Sequence, residues 1–353
     1  MDNVIITGLR GVGKTVLLET LKPIAIQNGW LWAGTDLSES ASISEEHLAV
    51  RILADLSVVS SSMTMTMQTR EGMGFLARRE ETPLTLTYQT LSQIYAQTPG
   101  LVGDKLKSCL ETIWHVSRRQ LIFAYDEAQN LADHAIKDQY PLSLLLDVFQ
   151  SLQRKEIPFM LVLSGLPTLF PKLVESRTYA ERMFHVIFLN QLDNNAARQA
   201  ITTPLLAANG GIQFPESDVE TIISLSGGYP YFIQFISREV YDLIATGNST
   251  IPYDAIMRKL DTDFFSGRWA RATDRQRELL TVAARLENAD EEFAVQELVA
   301  GAKNLTKPFS SSHVNQMLSS LIHAGLIYKN RHGRYSFAVP LMSQFIRRNA
   351  ADA

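Results

Sequence analysis

Short unbroken apolar runs alternate with segments of helical spacing through the first half of the chain. The apolar runs occupy residues 4–6, 30–32, 121–125, 159–163 and 186–188. Helical spacing marks the intervals, chiefly residues 45–58, 105–118 and 142–152. Because uninterrupted apolar runs are typical of parallel strands covered on both faces, the pattern predicts an open, mostly parallel α/β sheet. Residues 60–74 show neither period, and we predict a surface loop there.

From residue 194 the strand pattern stops and helical spacing continues. Helices are predicted at residues 194–206, 216–225, 231–244, 253–264, 276–286, 295–300 and 311–324. Two short strands follow the last helix, at residues 326–330 and 334–339. Three helices followed by a hairpin predict a winged helix-turn-helix. The predicted domains are an α/β core at 1–192, a helical lid at 193–265 and the winged helix-turn-helix at 266–353.

Composition excludes several classes of protein. Within the 353 residues no run approaches the roughly 18 apolar residues of a membrane span, and the first residues lack a secretory pattern. Cys109 is the single cysteine, which excludes an intrachain disulfide and a cysteine-based metal cluster. We therefore expect a cytoplasmic protein without a membrane partner.

The charge is unevenly distributed. The chain has 33 Lys and Arg against 37 Asp and Glu, a net charge of −4. From residue 267 onward there are twelve basic and eight acidic residues, so this segment carries +4 and the remainder −8. A basic C-terminal segment on an acidic body indicates an anionic partner for that segment.

Residues 8–15 read Gly-Leu-Arg-Gly-Val-Gly-Lys-Thr and match the phosphate-loop pattern, between an apolar strand and a helix. Glycines let backbone N–H groups converge on phosphates, Lys14 reaches the β and γ oxygens, and the Thr15 hydroxyl ligates Mg²⁺. The candidate nucleotide-binding residues are Gly8, Gly11, Val12, Gly13, Lys14, Thr15 and Val16. The predicted cofactors are ATP and Mg²⁺. The alternative is a glycine-rich turn into a helix.

Two carboxylates follow the apolar run at 121–125. Asp126 would lie at the carboxyl end of a central strand, where α/β sheets bind ligands, and would hold Mg²⁺ together with Thr15. Glu127 is the residue type that orients and deprotonates an attacking water. Asp-Glu at a strand end is usual in hydrolysing nucleotidases that have an extra strand between the two motifs. Without the phosphate loop, the pair would be explained as a helix cap or a solvated turn.

Ser164 and two arginines are further candidates. Ser164 ends the apolar run at 159–163, where a hydroxyl could hydrogen-bond the terminal phosphate or the attacking water. Its alternative explanation is an ordinary Ser-Gly turn. Arg177 and Arg182 precede the last predicted strand, and each is also explained as a solvated helix charge.

The order of these motifs resembles the AAA+ P-loop ATPases of the archaeal and bacterial STAND type, which are related to archaeal replication initiators. In that group Gly-x-Pro replaces the second-sensor arginine of ordinary AAA+ proteins, and residues 228–230 match it, which implies a nucleotide contact at Pro230. The resemblance implies slow ATP hydrolysis that rises on assembly or stimulation, with Lys14, Asp126 and Glu127 as catalytic residues. It also implies Ser164 as first sensor, a winged helix after the lid, and an arginine finger, for which we favour Arg182.

The predicted winged helix offers two surfaces. In the helix at 311–324 the buried face would be Val314, Leu318, Leu321 and Ile322, and the outward residues include Asn315 but no arginine for the bidentate guanine contact. The hairpin has the basic residues Lys329, Arg331, His332 and Arg334, and the last helix adds Arg347 and Arg348. Such residues suit contacts to the DNA backbone. The candidate DNA contacts are Lys329, Arg331, Arg334 and Asn315.

The leading prediction is an ATP-binding and hydrolysing AAA+ switch that associates with double-stranded DNA through its winged helix. The alternative is a STAND-type signalling ATPase whose winged helix docks a protein. A scaffold with a degenerate nucleotide site is disfavoured because Lys14, Thr15, Asp126 and Glu127 are all present. A second copy of the chain or a protein partner is expected in either case.

Overall fold

The computed structural model describes residues 2–71, 78–208, 211–248, 250–331 and 333–351. The chain forms two compact units. The first contains residues 1–7 and 14–188, and the second contains residues 8–13 and 189–353.

A five-stranded sheet forms the centre of the first unit. The strands up to residue 189 are β1 (Asn3–Gly8), β2 (Leu31–Ala33), β3 (Thr64–Glu71), β4 (Arg78–Thr85), β5 (Leu121–Tyr125), β6 (Phe159–Gly165) and β7 (Phe184–Leu189). The sheet order is β2-β5-β6-β1-β7, and the β2–β5, β5–β6 and β6–β1 pairs are parallel. The predicted parallel sheet is confirmed. One strand, β6, lies between β1 and β5, as the strand-end Asp-Glu pair predicts.

Helices cover the sheet and bury its apolar strands. Those of the first unit are α1 (Lys14–Gln27), α2 (Glu45–Ser60), α3 (Tyr88–Gln97), α4 (Val102–Ser117), α5 (Pro141–Arg154), α6 (Leu169–Ser176) and α7 (Ala180–Met183). All five residues of β5 are buried, which explains its unbroken apolar sequence. Phe123 on β5 packs edge-to-face on Phe149 of α5 at 5.2 Å. The N-terminus of α2 is capped by Ser44, whose side chain accepts from the His47 N–H.

The loop predicted at 60–74 is wrong over residues 64–71. These residues form β3, which pairs antiparallel with β4, while residues 72–74 lie outside the described part of the chain. Threonines alternate with Met63, Met65 and Met67, a period of two that the compositional bias obscured, and threonine favours strands. Met63 and Met65 pack against the core of the first unit, which accounts for the alternation.

The second unit is mainly helical. Its helices are α8 (Asn194–Ala207), α9 (Glu216–Ser226), α10 (Pro230–Ala245), α11 (Tyr253–Leu260), α12 (Gly267–Trp269), α13 (Asp274–Ala284), α14 (Val295–Gly301), α15 (Ser311–His323) and α16 (Met342–Ala351). A π-helical turn at Asp261–Ser266 joins α11 to α12. The strands are β8 (Phe293–Ala294), β9 (Ile327–Arg331) and β10 (Arg334–Phe337), in the antiparallel order β8-β10-β9. The very short β8 is an element that the sequence pattern missed.

A single hydrophobic cluster runs through the second unit from Ala197 to Ile346. Its centre is aromatic. Phe265 of the π-helical turn stacks on Phe345 of α16 at 5.0 Å and on Phe232 of α10 at 5.8 Å. In the described residues we find no helix that combines the length and apolarity needed to cross a membrane.

Candidate functional site

Thr15 and Asp126 meet at the carboxyl edge of the sheet. The Thr15 hydroxyl donates a hydrogen bond to the Asp126 carboxylate across 111 positions of sequence. The Asp126 side chain is only 5% exposed, and its other oxygen accepts the Glu127 N–H at 2.8 Å. The backbone of Asp126 is fixed on both sides, because its N–H donates to the Thr35 carbonyl and its carbonyl accepts from the Leu37 N–H. A carboxylate and a hydroxyl are hard oxygen donors of the kind that Mg²⁺ prefers, so this pair fits the predicted metal.

Glu127 adopts a left-handed backbone conformation, with φ of 50°. Such a conformation costs energy in a residue other than glycine, and it is concentrated at functional sites. The Glu127 carboxylate accepts a hydrogen bond from the Gln129 side-chain amide. The Gln129 side-chain oxygen in turn accepts the Leu166 N–H at 3.1 Å, and the Gln129 backbone carbonyl accepts from Lys172 at 2.7 Å. Gln129 therefore ties Glu127 to the end of β6.

Sequence reasoning missed Gln129. Its only sequence signal is an amide two residues after Glu127. A Cβ on Gly165 would lie 2.6 Å from the Gln129 side-chain oxygen, so the Ser-Gly turn leaves room for this amide.

Ser164 is fully buried on β6. Its hydroxyl has no hydrogen-bond partner among the described residues, which is costly for a buried polar group. Leu163 pairs with Tyr125 in the β5–β6 register, so Ser164 lies one position further, level with Asp126. The serine is thus placed at the same sheet edge as the two carboxylates.

The phosphate-loop glycines have the backbone conformations that the motif requires. Gly11 and Gly13 have φ of 80° and 93°, and nothing lies within 4 Å of where a Gly13 Cβ would be. Gly8 is closely packed, because an added Cβ would lie 2.4 Å from the Leu189 carbonyl oxygen. Left-handed glycines turn successive N–H groups toward one side, which makes an anion cradle. The loop geometry therefore fits a bound phosphate chain.

The remaining loop candidates differ in exposure. Val12 is buried, Lys14 is 9% exposed, and Val16 is 63% exposed on α1.

The Gly-Gly-Tyr-Pro segment forms a tight turn into α10. Gly227 and Gly228 both have positive φ, and a Cβ on Gly228 would lie 2.5 Å from the Leu192 carbonyl oxygen. Pro230 is the first residue of α10, one position before the helix predicted at 231–244. The next residue, Tyr231, donates its N–H to the Gly11 carbonyl at 3.1 Å. The start of α10 is thus anchored to the phosphate loop within the second unit, through a residue that sequence reasoning missed.

The two arginine-finger candidates have different surroundings. Arg177 donates to both carboxylate oxygens of Asp147, at 3.0 and 2.7 Å, and the Tyr179 hydroxyl donates to the same carboxylate at 2.5 Å. Arg182 on α7 is exposed and forms no salt bridge among the described residues. Of the two, only Arg182 has a guanidinium group without a carboxylate partner among the described residues.

The outward face of α15 is polar. Val314, Leu318 and Leu321 are buried as predicted, Ile322 is half-buried, and Met317 adds to the buried face. Asn315 is exposed, and its amide donates to the Ser311 carbonyl within the helix at 2.9 Å.

The hairpin arginines have partners within the second unit. Arg331 forms a salt bridge with Glu292 at 2.9 Å, and Arg334 contacts Glu297 at 3.5 Å. Lys329 is exposed and has no salt bridge among the described residues, while His332 lies outside them. The hairpin therefore presents less free positive charge than its sequence indicates.

The two α16 arginines also have partners within the second unit. Arg347 donates to the Ala284 carbonyl at 2.5 Å, and Arg348 forms a salt bridge with Asp261 at 2.5 Å. Both side chains tie α16 to the rest of the second unit, because the helix packs against α13 and the π-helical turn.

The chain was compared with family profiles, with curated proteins and with solved structures. Residues 262–346 match the family profile of a domain of unknown function, DUF8462. No curated protein matches the chain by sequence. Among solved structures, the chain is similar to the Walker-type ATPase PABY2304 of Pyrococcus abyssi, with 15% identity, coverage of 98% of this chain and 90% of the other, and a TM-score of 0.58. It is also similar to the ORC2 protein of Aeropyrum pernix in its ADP form, with 14% identity, coverage of 99% and 89%, and a TM-score of 0.54.

These similarities extend over nearly the whole chain and concern its fold. The chain has an α/β P-loop fold, which it shares with these two solved structures.

Proposed function

We propose that the chain is an ATP-binding and ATP-hydrolysing switch of the AAA+ type. The contact between the Thr15 hydroxyl and the Asp126 carboxylate carries this proposal, because it joins the phosphate-loop helix to the strand-end Asp-Glu pair. The similar structures are named as a Walker-type ATPase and as an ADP form, which is compatible with the proposal.

Each residue of the site has a role in this proposal. Thr15 and Asp126 would hold Mg²⁺, which when bound neutralises phosphate charge. Lys14 and the N–H groups of residues 8–16 bind and orient the phosphates. Glu127 accepts a proton from the attacking water, and the Gln129 amide keeps the Glu127 carboxylate in position. The Ser164 hydroxyl donates to the terminal phosphate or orients the water, which gives this buried group a partner.

The lid and the finger complete the proposed switch. We assign residues 1–192 to the ATPase core and 193–265 to the lid, whose Pro230 contacts the nucleotide at the start of α10. Arg182 would enter the site of a neighbouring copy, since its guanidinium is exposed and has no carboxylate partner among the described residues. Self-association therefore stimulates hydrolysis in this proposal.

Residues 266–353 are proposed to be a winged helix that contacts DNA. The helix and strand order α13-β8-α14-α15-β9-β10 supports the winged-helix assignment. Lys329, Arg331 and Arg334 would contact phosphates, and Asn315 would face a groove. With no arginine on the outward face of α15, we expect weak sequence selectivity.

A second candidate is a STAND-type signalling ATPase whose winged helix docks a protein. The salt bridges of Arg331 to Glu292 and of Arg334 to Glu297 favour it, because they neutralise charge that DNA binding would use. Detectable binding of unrelated duplexes at low salt supports the DNA-associated switch. Its absence with and without ATP supports the protein-docking switch.

Calorimetric titration of the full chain with ATP and Mg²⁺ tests the nucleotide site. We expect Lys14→Ala to weaken binding strongly, by about 10²-fold or more, since a charged hydrogen-bond donor to phosphate is lost. Lys22→Ala, an exposed lysine further along α1, is the control and should bind as the parent does. Equal affinity of Lys14→Ala and the parent would refute the assignment of this loop.

A further inference from the structure

Three arginines line one cavity in the second unit. The cavity has a volume of about 310 Å³, and its lining includes Arg10, Arg268, Arg271, Asp263 and Phe264. Arg10 belongs to the phosphate loop, whereas Arg268 lies on α12 and Arg271 follows it. None of these arginines has a role in the site described above.

The positive charge of this cavity is not balanced. Among the described residues, none of the three arginines forms a salt bridge, and the single lining carboxylate, Asp263, leaves an excess of two positive charges. Six other arginines of the second unit pair with carboxylates, namely Arg198, Arg275, Arg277, Arg331, Arg334 and Arg348. Like charges held close together are destabilising unless an anion joins them.

Arg268 is held in place by its own neighbours. Its guanidinium carbon lies 4.0 Å from the centroid of the Phe264 ring, and the side chain donates to the Phe264 carbonyl. Burial lowers the pKa of Arg268, and the charge of Arg10 is the next largest cause. A bound anion would offset both effects.

The cavity is connected to the phosphate loop by one aromatic residue. The Tyr231 N–H donates to the carbonyl of Gly11, the residue that follows Arg10. The Tyr231 ring packs against Phe264 in a tilted arrangement, with 4.7 Å between the ring centroids, and the Arg268 guanidinium lies over the Phe264 ring. All these residues belong to the second unit, so loop and arginines form one packed group.

We propose that Arg10, Arg268 and Arg271 form a binding site for a phosphate group. Guanidinium groups donate paired hydrogen bonds to phosphate oxygens, and three of them suit a doubly charged group. The phosphate is either the terminal phosphate of a nucleotide on the loop or that of a separate ligand. All three arginines belong to the second unit, which favours a separate ligand, and the nucleotide source rests on the proposed function.

Calorimetry on the full chain separates these sources. Mg²⁺ with ATPγS and with ADP is titrated into the parent and into Arg268→Gln and Arg271→Gln. Tripolyphosphate is titrated into the Lys14→Ala variant. It is also titrated into Lys14→Ala variants that carry Arg268→Gln or Arg271→Gln. Arg258→Gln on α11 is the matched control, since Arg258 is exposed and has no salt bridge among the described residues. Arg271 is also exposed, so Arg271→Gln tests the site even if Arg268→Gln fails to fold.

If the phosphate belongs to a nucleotide, we expect each substitution to weaken the affinity for ATPγS about 10-fold and to leave the affinity for ADP unchanged. A 10-fold change is the size expected for one charge-assisted hydrogen bond. For a separate ligand, nucleotide affinities stay unchanged and tripolyphosphate binding falls about 10-fold. The proposal is overturned if both variants match Arg258→Gln in both titrations, or if nucleotide affinities are unchanged and Lys14→Ala binds no tripolyphosphate. If the parent binds neither nucleotide, the proposed function fails, and the tripolyphosphate titration alone decides on the arginine site.

Discussion

The sheet edge of the first unit and the hairpin of the second unit both carry predicted functional charges, but their partners differ. Asp126 is held by a hydroxyl and by a backbone N–H, and neither of these partners carries a charge that would compete with a cation. Arg331 and Arg334 each contact a carboxylate of the same unit, which would compete with a phosphate for the guanidinium group. A neutral partner positions a charged group for a ligand, whereas a charged partner competes with the ligand.

The two finger candidates also differ in whether the guanidinium has a carboxylate partner, and substituting them gives the largest expected effect. Under conditions that assemble the protein, Arg182→Ala should lose the stimulated part of hydrolysis, by about 10³-fold or more, because the exposed Arg182 guanidinium has no carboxylate partner in the described part of the chain. Arg177→Ala is the matched variant and should retain stimulation, since Arg177 is bound by Asp147. Phosphate release measured over a range of protein concentrations tests both.

Turnover that does not depend on concentration, and that Arg182→Ala leaves unchanged, would exclude a finger supplied by a neighbouring copy. Loss of stimulation in Arg177→Ala alone would assign the finger to the arginine that has a carboxylate partner. A charged partner would then not prevent an arginine from acting on a ligand.

Glu127 gives the next largest effect. Glu127→Gln should reduce basal hydrolysis by about 10²–10⁴-fold, because an amide cannot take a proton from water. ATP affinity should remain near that of the parent, as the phosphates are bound elsewhere. Single-turnover hydrolysis and equilibrium binding on one sample separate the two effects, and the exposed Glu181→Gln is the control. Unchanged hydrolysis in Glu127→Gln would remove Glu127 from the reaction.

Topology explains why the sheet edge could be predicted from sequence. An apolar run that ends in Asp-Glu needs only a parallel sheet to bring Asp126 to the ligand edge, and the loop pattern places Thr15. Gln129 could not be predicted, because its contact depends on the left-handed backbone at Glu127.

The surface pairs could not be predicted either. Arg331 and Glu292 are 39 positions apart, and their contact depends on side-chain packing rather than on any period in the sequence. The same holds for Arg348 and Asp261, 87 positions apart. Patterns predict elements and strand ends, while pairing between distant surface charges requires the folded chain.

Removing the competing carboxylates should increase DNA binding by the hairpin. Glu292→Gln with Glu297→Gln should strengthen binding to unrelated duplexes several-fold at low salt, since Arg331 and Arg334 become available. Each additional phosphate that the hairpin neutralises should steepen the slope of log affinity against log salt by about 0.9. Glutamine at 297 still accepts the Ala294 N–H that caps α14, so the helix should be preserved.

Fluorescence anisotropy across a salt series, with and without ATP, measures the slope. Arg331→Ala with Arg334→Ala is the opposite control and should weaken all duplexes alike. If neither pair of substitutions changes DNA affinity, the hairpin is not the DNA contact. Tight binding to one sequence only would show that α15 reads bases.

The smallest expected effect concerns the Arg177–Asp147 pair itself. Burial raises the pKa of Asp147, but the hydrogen bonds from Arg177 and Tyr179 outweigh it, and the net shift is downward. A carboxyl with a lowered folded pKa stabilises the protein above its unfolded pKa near 3.8, and this stabilisation is lost as the pH falls through the folded value. Both side chains are more than a third exposed, so solvent screening limits the contribution to about 1 kcal/mol or less.

Arg177→Ala should therefore lower the denaturation midpoint slightly at pH 7 and have a smaller effect near pH 3. Arg182→Ala, which removes an arginine without a carboxylate partner among the described residues, should change the midpoint little at either pH. Equal shifts for the two variants would show that the pair at Asp147 contributes nothing measurable.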